Sequence, residues 1–363
     1  MIERVLFAGG GTGGHLYMAV ALAGELNSRK FKTDILFVGT QREIEKQILS
    51  SLGFRLQTIQ IEALKGVGFL RSALTLLKLP ASLLASARII RKFSPSIIVG
   101  LGGYSSGPVV LAGKLLGSPT LLIEPNVYPG FTNRILFRWA DGAAVAFEET
   151  ARWFGPKARL TGIPVRPEFE KINSEVPSPD TLRLLVFGGS QGSSPLNKLV
   201  CSSLPFIPSD RLSIVHQTGI TDHLHIKQVY EQQGVKAEVI DFISDMPSLF
   251  ARSDLILSRA GASTIAEITA SGKPAILVPL PHASDDHQRK NAQVLAEKGA
   301  ALVLEQEETT GESLASILLK LSNEPFQLQR MSHAARQFYN PDSRLKILNF
   351  MQELVTVRRG INA

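Results

Sequence analysis

The chain has 363 residues, of which 44% are hydrophobic and 20% are charged, so it is long enough for two globular domains and too apolar for a disordered protein. Its one cysteine, Cys201, excludes a disulfide framework and a multi-thiolate metal site. Residues 1–165 hold 19 Lys and Arg against 10 Asp and Glu, whereas the remaining residues hold 20 against 22, which predicts an anionic partner for the first half. The opening MIERVLFAGGG has an early acidic residue and no apolar core, so we expect no signal peptide and a cytoplasmic location.

Short apolar runs, each followed by glycine-rich or polar turn residues, recur through the first half of the chain. The runs lie at residues 5–10, 35–40, 96–103 and 119–124, and helical patterns lie at 15–26 and 43–52. β-Branched and aromatic runs separated by helical patterns predict parallel strands joined by crossover helices. Ligands of such a sheet bind at the carboxyl ends of its strands.

The second half repeats this plan. Predicted strands lie at 182–192, 212–219, 237–243, 255–258 and 274–280, and predicted helices lie near 194–203, 222–233, 263–271 and 287–298. The predicted fold class is therefore α/β, with two doubly wound Rossmann-like domains.

A turn-rich segment at 161–181 contains four prolines and separates the two series. We place the boundary near Val165, with an N-terminal domain at 1–165 and a C-terminal domain at 166–342. A last helical stretch begins at Ser343, and we expect residues 343–363 to pack back on the first domain.

The first glycine-rich loop, residues 9–14, ends a predicted strand and opens a predicted helix. Its backbone N–H groups and the helix dipole favour an anion. The loop sequence also matches the GxGxxG pattern of dinucleotide-binding proteins. NAD(P) binding, however, requires an acidic residue at the end of the second strand, where this chain has Gly39 and Thr40. A tight turn without a ligand is the other interpretation.

Two further glycine turns lie in the second half. Residues 188–192 again join a strand to a helix, without the lysine that a Walker motif places there for ATP chemistry. Residues 258–272 form a glycine turn and a helix with Glu267 in its first turns. That carboxylate could accept hydrogen bonds from a ribose, although the helix dipole favours an acid there without any ligand. Two facing domains with such turns favour a sugar-nucleotide enzyme.

Together these residues resemble the MurG family, the UDP-N-acetylglucosamine transferases that complete the lipid-linked peptidoglycan precursor. The resemblance covers nearly the whole chain and depends on motifs in family order, namely GGTGGH (10–15), GLGGYSSGP (100–108), EPN (124–126), GIPVR (162–166), FGGSQG (187–192), SRAGASTIAE (258–267) and DDHQRKNA (285–292). It implies a two-domain GT-B glycosyltransferase fold in which two Rossmann-like domains face a cleft. The donor would be held mainly by the C-terminal domain and the lipid-linked acceptor by the N-terminal domain.

The resemblance also implies roles for individual residues. The uracil would contact the backbone of Ile243, the ribose Glu267, and the diphosphate Ser190, Arg166 and the helix start at 262–264. The full donor set is Thr12, Gly13, Gly14, Asn126, Arg166, Ser190, Ile243, Ala262, Ser263, Thr264, Glu267 and Gln288. The acceptor set is Gly14, His15, Gly103 and Tyr104.

The reaction implied is attack by the C4 hydroxyl of N-acetylmuramic acid in lipid I on the anomeric carbon of UDP-GlcNAc, with inversion and loss of UDP. His15 is the predicted general base because an imidazole titrates near cytoplasmic pH, and Glu124 is the rival. His15 could instead bind the acceptor phosphate or satisfy a buried backbone group. No DxD motif occurs in the chain, so we expect no metal and no cofactor, and we expect His223 and His225 to be solvated.

Residues 64–93 mix apolar and cationic side chains and contain no run long enough to span a bilayer. The segment could dock on the anionic cytoplasmic face of the inner membrane, or it could be a crossover helix packed on its own sheet. The predicted membrane residues are Phe69, Leu70, Leu74, Leu77, Lys78, Arg88 and Arg91. Other cell-wall synthesis proteins are possible partners, and we expect no nucleic acid partner.

Three other functions compete with this transferase. They are another GT-B enzyme, such as a lipid glycosyltransferase or a UDP-sugar epimerase, a nicotinamide oxidoreductase, and a sugar-nucleotide sensor without catalysis. The GGYSSGP loop and the basic amphipathic segment favour a lipid-diphosphate acceptor, and the missing acid of the second strand argues against the oxidoreductase.

Overall fold

The computed structural model describes residues 2–10, 13–28, 33–61, 69–172 and 181–361. The chain divides into two compact units. Unit 1 is Met1–Arg166 together with Asp342–Ala363, and unit 2 is Pro167–Pro341.

Unit 1 contains a seven-stranded parallel sheet in the order β3-β2-β1-β4-β5-β6-β7. Its strands are β1 (Arg4–Ala8), β2 (Asp34–Gly39), β3 (Arg55–Thr58), β4 (Ile97–Gly100), β5 (Thr120–Glu124), β6 (Gly142–Val145) and β7 (Ala158–Leu160). Its helices are α1 (Gly13–Asn27), α2 (Glu43–Ser51), α3 (Phe69–Phe93), α4 (Ser106–Leu115), α5 (Phe131–Leu136) and α6 (Glu148–Phe154), with a final helix at Ser343–Ile361.

The central strands of unit 1 are buried on both faces, as their apolar runs predict. Phe7 of β1 and Phe37 of β2 are nearly inaccessible to solvent, and their rings stack with centroids 5.3 Å apart. The strand order reverses between β1 and β4, which pair in parallel from Val5 and Ile97. Doubly wound sheets bind ligands in the crevice outside the carboxyl ends of their strands at such a point.

The carboxyl-terminal part of α3 packs on this sheet. Ile90 and Phe93 are buried with β1, β2 and β4 side chains in one core cluster, whereas Leu84 is 61% exposed. Arg88 and Arg91 are exposed. The core interpretation of residues 64–93 is therefore confirmed for the buried side chains among residues 79–93, which are the part of α3 whose side chains the structure describes.

Unit 2 contains a six-stranded parallel sheet in the order β10-β9-β8-β11-β12-β13. Its strands are β8 (Leu182–Phe187), β9 (Leu212–Gln217), β10 (Ala237–Ile240), β11 (Leu255–Ser258), β12 (Ala275–Leu277) and β13 (Ala301–Val303). Its helices are α7 (Pro167–Glu170), α8 (Ser194–Ser203), α9 (His223–Gln232), α10 (Met246–Ala251), α11 (Ala262–Ser271), α12 (His287–Glu297), α13 (Gly311–Asn323) and α14 (Pro325–Phe338). The order reverses between β8 and β11, so the second half does repeat the topology of the first, as the sequence predicts.

The final helix, α15 (Ser343–Ile361), belongs to unit 1 although it follows unit 2 in the chain. Ile347, Leu348 and Met351 are buried in the core cluster that contains β1 and α1 side chains. Arg344 donates from Nη1 to the carbonyl of Val165 at 2.7 Å. Within the described ranges, no helix combines the length and the hydropathy needed to cross a membrane.

Candidate active site

In unit 1 the loops that follow β1 and β4 touch through glycines. A Cβ added to Gly103, whose φ is +73°, would lie 2.4 Å from the carbonyl oxygen of Gly10, so only glycine permits this approach. His15 stands in the first turn of α1, and a Cβ on Gly102 would lie 3.6 Å from its Nε2. Tyr104 is partly exposed beside these glycines. The structure therefore brings the predicted acceptor residues together at the crevice between β1 and β4.

Glu124 ends β5 and is only 1% exposed. Its Oε1 accepts from the backbone N of Asn126 at 3.1 Å and from the Asn126 Nδ2 at 2.9 Å. Its Oε2 accepts from the backbone N of Gly130 at 2.8 Å and from the Asn133 Nδ2 at 3.0 Å. One buried carboxylate thus fixes the whole turn between β5 and α5.

The protonation of Glu124 reflects two opposed effects. Burial raises the pKa of this carboxyl above its ordinary value, while the bonds from Asn126, Gly130 and Asn133 act to lower it. Each oxygen already accepts two N–H groups, so the accepting positions are used by the turn itself. This geometry favours Glu124 as the group that positions Asn126 over its role as the rival base.

The rest of the predicted donor set in unit 1 is only partly described. Thr12 lies outside the described residues, while Gly13 and Gly14 open α1. The Arg166 guanidinium carbon lies 4.4 Å from the centre of the Tyr17 ring, a cation–π contact. Arg166 is the last residue of the first segment of unit 1 and directly precedes α7.

In unit 2 the loop from Gly188 to Ser193 leaves β8 and turns tightly into α8. The backbone N of Gly192 donates to the carbonyl of Gly189 at 2.9 Å. A Cβ on Gly192, with φ at +73°, would lie 2.0 Å from the carbonyl oxygen of Thr218. The loop carrying Ser190 is therefore packed against the loop that follows β9, and this contact requires a glycine at position 192.

Across the switch point from this loop, α11 begins with Ala262, Ser263 and Thr264, which are half-buried. Glu267, one turn further along α11, is also half-buried. Its side chain thus stands on the same helix as the predicted diphosphate contacts, as the motif requires.

Two other predicted donor residues belong to unit 2, Ile243 in a loop and Gln288 in the first turn of α12. Ile243 follows β10 and is 8% exposed. The side-chain oxygen of Gln288 accepts from the backbone N of Leu280 at 2.9 Å, which connects α12 to the loop after β12. Asp285 and Asp286 in that loop have φ of +58° and +55°. Such left-handed conformations in residues other than glycine store strain and concentrate at functional sites.

Beneath the loop at 188–193 lies a buried polar network that sequence reasoning missed. His216 of β9 is fully buried, with Nδ1 2.9 Å from the Tyr230 hydroxyl and Nε2 3.1 Å from the Asn197 Oδ1. The Asn197 Nδ2 donates to the carbonyl of Thr218 at 2.9 Å and to Asp222 at 2.8 Å. Burial lowers the pKa of His216 to about 3, although Asp222 acts to raise it, so the ring is neutral at neutral pH.

Arg259 is the second group that the sequence analysis passed over, although it lies within the quoted motif at 258–267. It follows β11 and is 5% exposed. Its Nη2 donates to the Ser193 Oγ at 2.8 Å, and its Nη1 donates to the carbonyls of Val278 and Pro279, each at 3.1 Å. A lone arginine after a strand gives no signal of burial, because its partners are distant in sequence.

Among the described residues, no group of three or more His, Cys, Asp or Glu side chains could hold a metal ion. His223 and His225 begin α9, where His223 is half-buried and His225 exposed. For the predicted membrane residues, α3 includes all seven positions, but the side chains of five lie outside the described set, namely Phe69, Leu70, Leu74, Leu77 and Lys78.

Comparison with known proteins gives concordant results for both halves. A model described as "Glycosyltransferase family 28 N-terminal domain" matches residues 5–145, and one described as "Glycosyltransferase family 28 C-terminal domain" matches residues 183–345.

Curated and solved relatives cover nearly the whole chain. A protein of Syntrophus aciditrophicus (strain SB) is 45% identical, covering 94% of this chain and 95% of the relative, and a protein of Anaeromyxobacter sp. (strain Fw109-5) is 43% identical, covering 98% and 95%. Both are named UDP-N-acetylglucosamine--N-acetylmuramyl-(pentapeptide) pyrophosphoryl-undecaprenol N-acetylglucosamine transferase. The crystal structure of Acinetobacter baumannii MurG superposes with a TM-score of 0.76 at 29% identity, covering 97% of this chain and 99% of that one.

Proposed function

The chain belongs to glycosyltransferase family 28, and on that basis we propose that it transfers N-acetylglucosamine from UDP-GlcNAc to the C4 hydroxyl of the N-acetylmuramic acid in lipid I. The products are lipid II and UDP, and the link formed is β-1,4 with inversion at the anomeric carbon. The enzyme thereby serves peptidoglycan synthesis, on which cell shape and division depend.

The observation that carries this function is the 45% identity to a transferase of that name over 94% of the chain. Two parallel sheets with glycine loops at their switch points provide the framework that the reaction needs. Such switch points are where doubly wound sheets bind nucleotides and phosphates.

For the donor, unit 2 supplies the proposed contacts. Glu267 would accept hydrogen bonds from the ribose hydroxyls, Ser190 and the first turn of α11 would donate to the diphosphate, and the backbone of Ile243 would contact the uracil. Ser190 and Glu267 follow the neighbouring strands β8 and β11, and both are half-buried, so solvent reaches part of each residue. These positions support the assignments.

For the acceptor, unit 1 supplies the proposed base and its surroundings. As the acceptor C4 oxygen forms its bond to the anomeric carbon, its proton would pass to His15, and the bond to UDP would break. Support comes from the position of His15 in the first turn of α1, against the glycines that precede Tyr104.

The two candidate roles of His15 separate by kinetics. His15→Ala lowers kcat by about a hundredfold or more if the imidazole removes the proton. A rise confined to the acceptor KM would instead identify His15 as a binding residue.

We also propose that the enzyme needs no metal. The negative charge that grows on the leaving diphosphate would be stabilised by cationic side chains and by N–H groups at helix starts. The absence of a DxD motif from the sequence supports this expectation.

The proposed location is peripheral, on the cytoplasmic face of the membrane that holds lipid I. Arg88 and Arg91 on the exposed face of α3 support an electrostatic contact with anionic lipid. Other cell-wall enzymes are proposed as neighbours on that surface.

The oxidoreductase alternative conflicts with the structure next to β2. Glu45 of α2 is the acid near the end of that strand, but it is 2% exposed and accepts from the backbone N and the hydroxyl of Thr40, both at 2.8 Å. This carboxylate is thus used within unit 1, whereas a dinucleotide site presents one to the ribose.

The deciding experiment measures UDP release from the purified protein with UDP-GlcNAc, with and without a lipid I analogue, in the presence of EDTA. Release that requires the acceptor and survives EDTA is the expected result. Binding of the donor without release would identify a sensor, and release that EDTA abolishes would refute the metal-free mechanism alone.

A further inference from the structure

The guanidinium of Arg259 has an unusual set of partners for a buried cation. Its Nε donates to the Ser193 Oγ at 3.2 Å, and its Nη2 donates to the same oxygen at 2.8 Å and to the Gln306 Oε1 at 2.5 Å. With the two bonds from Nη1 to Val278 and Pro279, all five N–H donors are engaged. Every acceptor is electrically neutral.

All hydrogen-bond donors of Arg259 are therefore used, but its positive charge is not offset by a negative charge among the described residues. Within the described part of the chain, no carboxylate lies within 4.0 Å of Arg259. Burial lowers the pKa of Arg259, but an arginine starts from so high a value that it stays charged at neutral pH. A cation removed from water without a counter-ion is costly. The cost is offset when an anion binds nearby.

Arg259 lies beside two loops and the start of a helix in unit 2. Its side chain joins the loop after β8, through Ser193, to the loop after β12, through Val278 and Pro279. Arg259 itself lies between the end of β11 and Gly261, the N-cap of α11. The two segments proposed to hold the diphosphate, the 188–193 loop and the start of α11, thus both adjoin this one guanidinium.

Ser193 connects the buried charge to the surface. It precedes α8 as the N-cap residue, yet its side chain makes no capping bond, because its oxygen accepts two N–H groups from Arg259. The hydroxyl hydrogen has no acceptor among the described residues, and Ser193 is half-buried. A hydroxyl whose oxygen is held by a cation is polarised and oriented as a donor.

From these contacts we propose that Arg259 is a positioning residue for the donor diphosphate, supplying a fixed positive charge behind the 188–193 loop and aligning the Ser193 hydroxyl as a donor to a phosphate oxygen. This inference rests on the proposed function, since the anion is the diphosphate of the sugar nucleotide. Arg259 does not touch the anion, because all of its donors are engaged. It acts through its field and through Ser193, and it favours the charge that the departing UDP carries.

The test compares UDP with uridine, which lacks the phosphates. Titration calorimetry or competition against a fluorescent uridine nucleotide gives the affinity of each for the full chain and for Arg259→Gln, Arg259→Lys and Ser193→Ala. We expect Arg259→Gln to weaken UDP binding about tenfold or more and uridine binding by less than about twofold. Arg259→Lys keeps the charge and should recover most of the lost UDP affinity. Ser193→Ala should weaken UDP alone, by about threefold to tenfold.

Arg336 provides a matched control. It is also a partly buried arginine whose pKa is lowered by burial, and its Nη1 donates to the carbonyl of Ala270 at 2.8 Å. It contacts α7 and α11 rather than the 188–193 loop. Arg336→Gln should leave the ratio of UDP to uridine affinity unchanged.

Equal losses of UDP and uridine binding in Arg259→Gln, or no loss of either, would overturn the proposal. If Arg259→Gln does not fold, the test depends on Ser193→Ala. Unchanged UDP affinity in that variant would show that the Ser193 hydroxyl does not donate to the diphosphate, and it would refute the proposal. A wild-type chain that binds no UDP would instead refute the proposed function, so the two failures are distinct.

Discussion

At the scale of single residues, two glutamates of the candidate site differ in what surrounds them. Glu124 is buried and accepts four N–H groups from its own turn. Glu267 is half-buried on one face of α11. A buried carboxylate that accepts four N–H groups from its own turn organises that turn, whereas Glu267 stands on the helix that is proposed to hold the donor.

The first prediction concerns Glu267. Glu267→Ala should raise the KM for UDP-GlcNAc by about tenfold or more, because the ribose hydroxyls lose a charged acceptor. Steady-state kinetics with varied donor provides the measurement. Glu312→Ala, which removes an exposed carboxylate in the first turn of α13, is the control. A donor KM equal to that of the control would remove Glu267 from the site.

At the scale of elements, β9, α8 and α9 are joined by the His216 network. The network holds Asn197 against the carbonyl of Thr218, which in turn abuts Gly192 of the donor loop. The loop's shape therefore depends on a histidine that stays neutral.

The second prediction is the pH dependence of this network. The folded pKa of His216 is about 3, against 6.5 for an ordinary histidine, so the unfolded chain binds the proton first as the pH falls. Stability contributed by the neutral ring is complete above pH 6.5 and is lost between there and about pH 3.

Between pH 7.5 and pH 5, this linkage should lower the free energy of unfolding by about 2 kcal/mol more in the wild type than in His216→Gln. Urea unfolding followed by circular dichroism measures both. Identical pH dependence in the two proteins would mean that the histidine does not titrate in this way.

The third prediction concerns α15. Met351 is fully buried against unit 1, whereas Val357 on the same helix is 62% exposed. Met351→Ala should lower the free energy of unfolding by about 2–5 kcal/mol through the cavity it leaves. Val357→Ala should cost less than about 0.5 kcal/mol. Equal effects in urea unfolding would show that α15 is not part of the folded core.

At the scale of the whole molecule, the charge is divided between the halves of the chain. The excess of Lys and Arg lies in residues 1–165, and Arg88, Arg91 and Lys92 stand exposed at the end of α3. Such a cluster gives roughly 1 kcal/mol per cation at an anionic bilayer.

The fourth prediction tests that surface. Reversing Arg88, Arg91 and Lys92 to Glu should weaken binding to vesicles that contain anionic lipid by about a hundredfold or more, with the loss reduced at high salt. Vesicle co-sedimentation measures it. The control reverses Lys227, Lys236 and Lys298, which are exposed on unit 2. If both triple variants bind as the wild type does, α3 is not the membrane contact.

Much of the fold followed from local patterns. The predicted helix at 194–203 coincides with α8, and that at 263–271 differs from α11 by one residue. The predicted central strands are all present, because a strand buried on both faces must be apolar throughout. Four strands were missed, namely the edge strands β3, β7 and β13 and the inner strand β6. RLQT and ARL are short and partly polar, ALV has only three residues, and GAAV consists mostly of small residues.

The sequence by itself determined the α/β class, the glycine loops and the family, because periodicity, turn residues and motif order are properties of neighbouring residues. Only the tertiary structure decided which distant groups meet. Arg259 reaches Ser193 across 66 positions of the chain, and His216 meets Asn197 across 19. Strand order and side-chain packing create those contacts, and both are set by the folding of the whole sheet rather than by any local pattern.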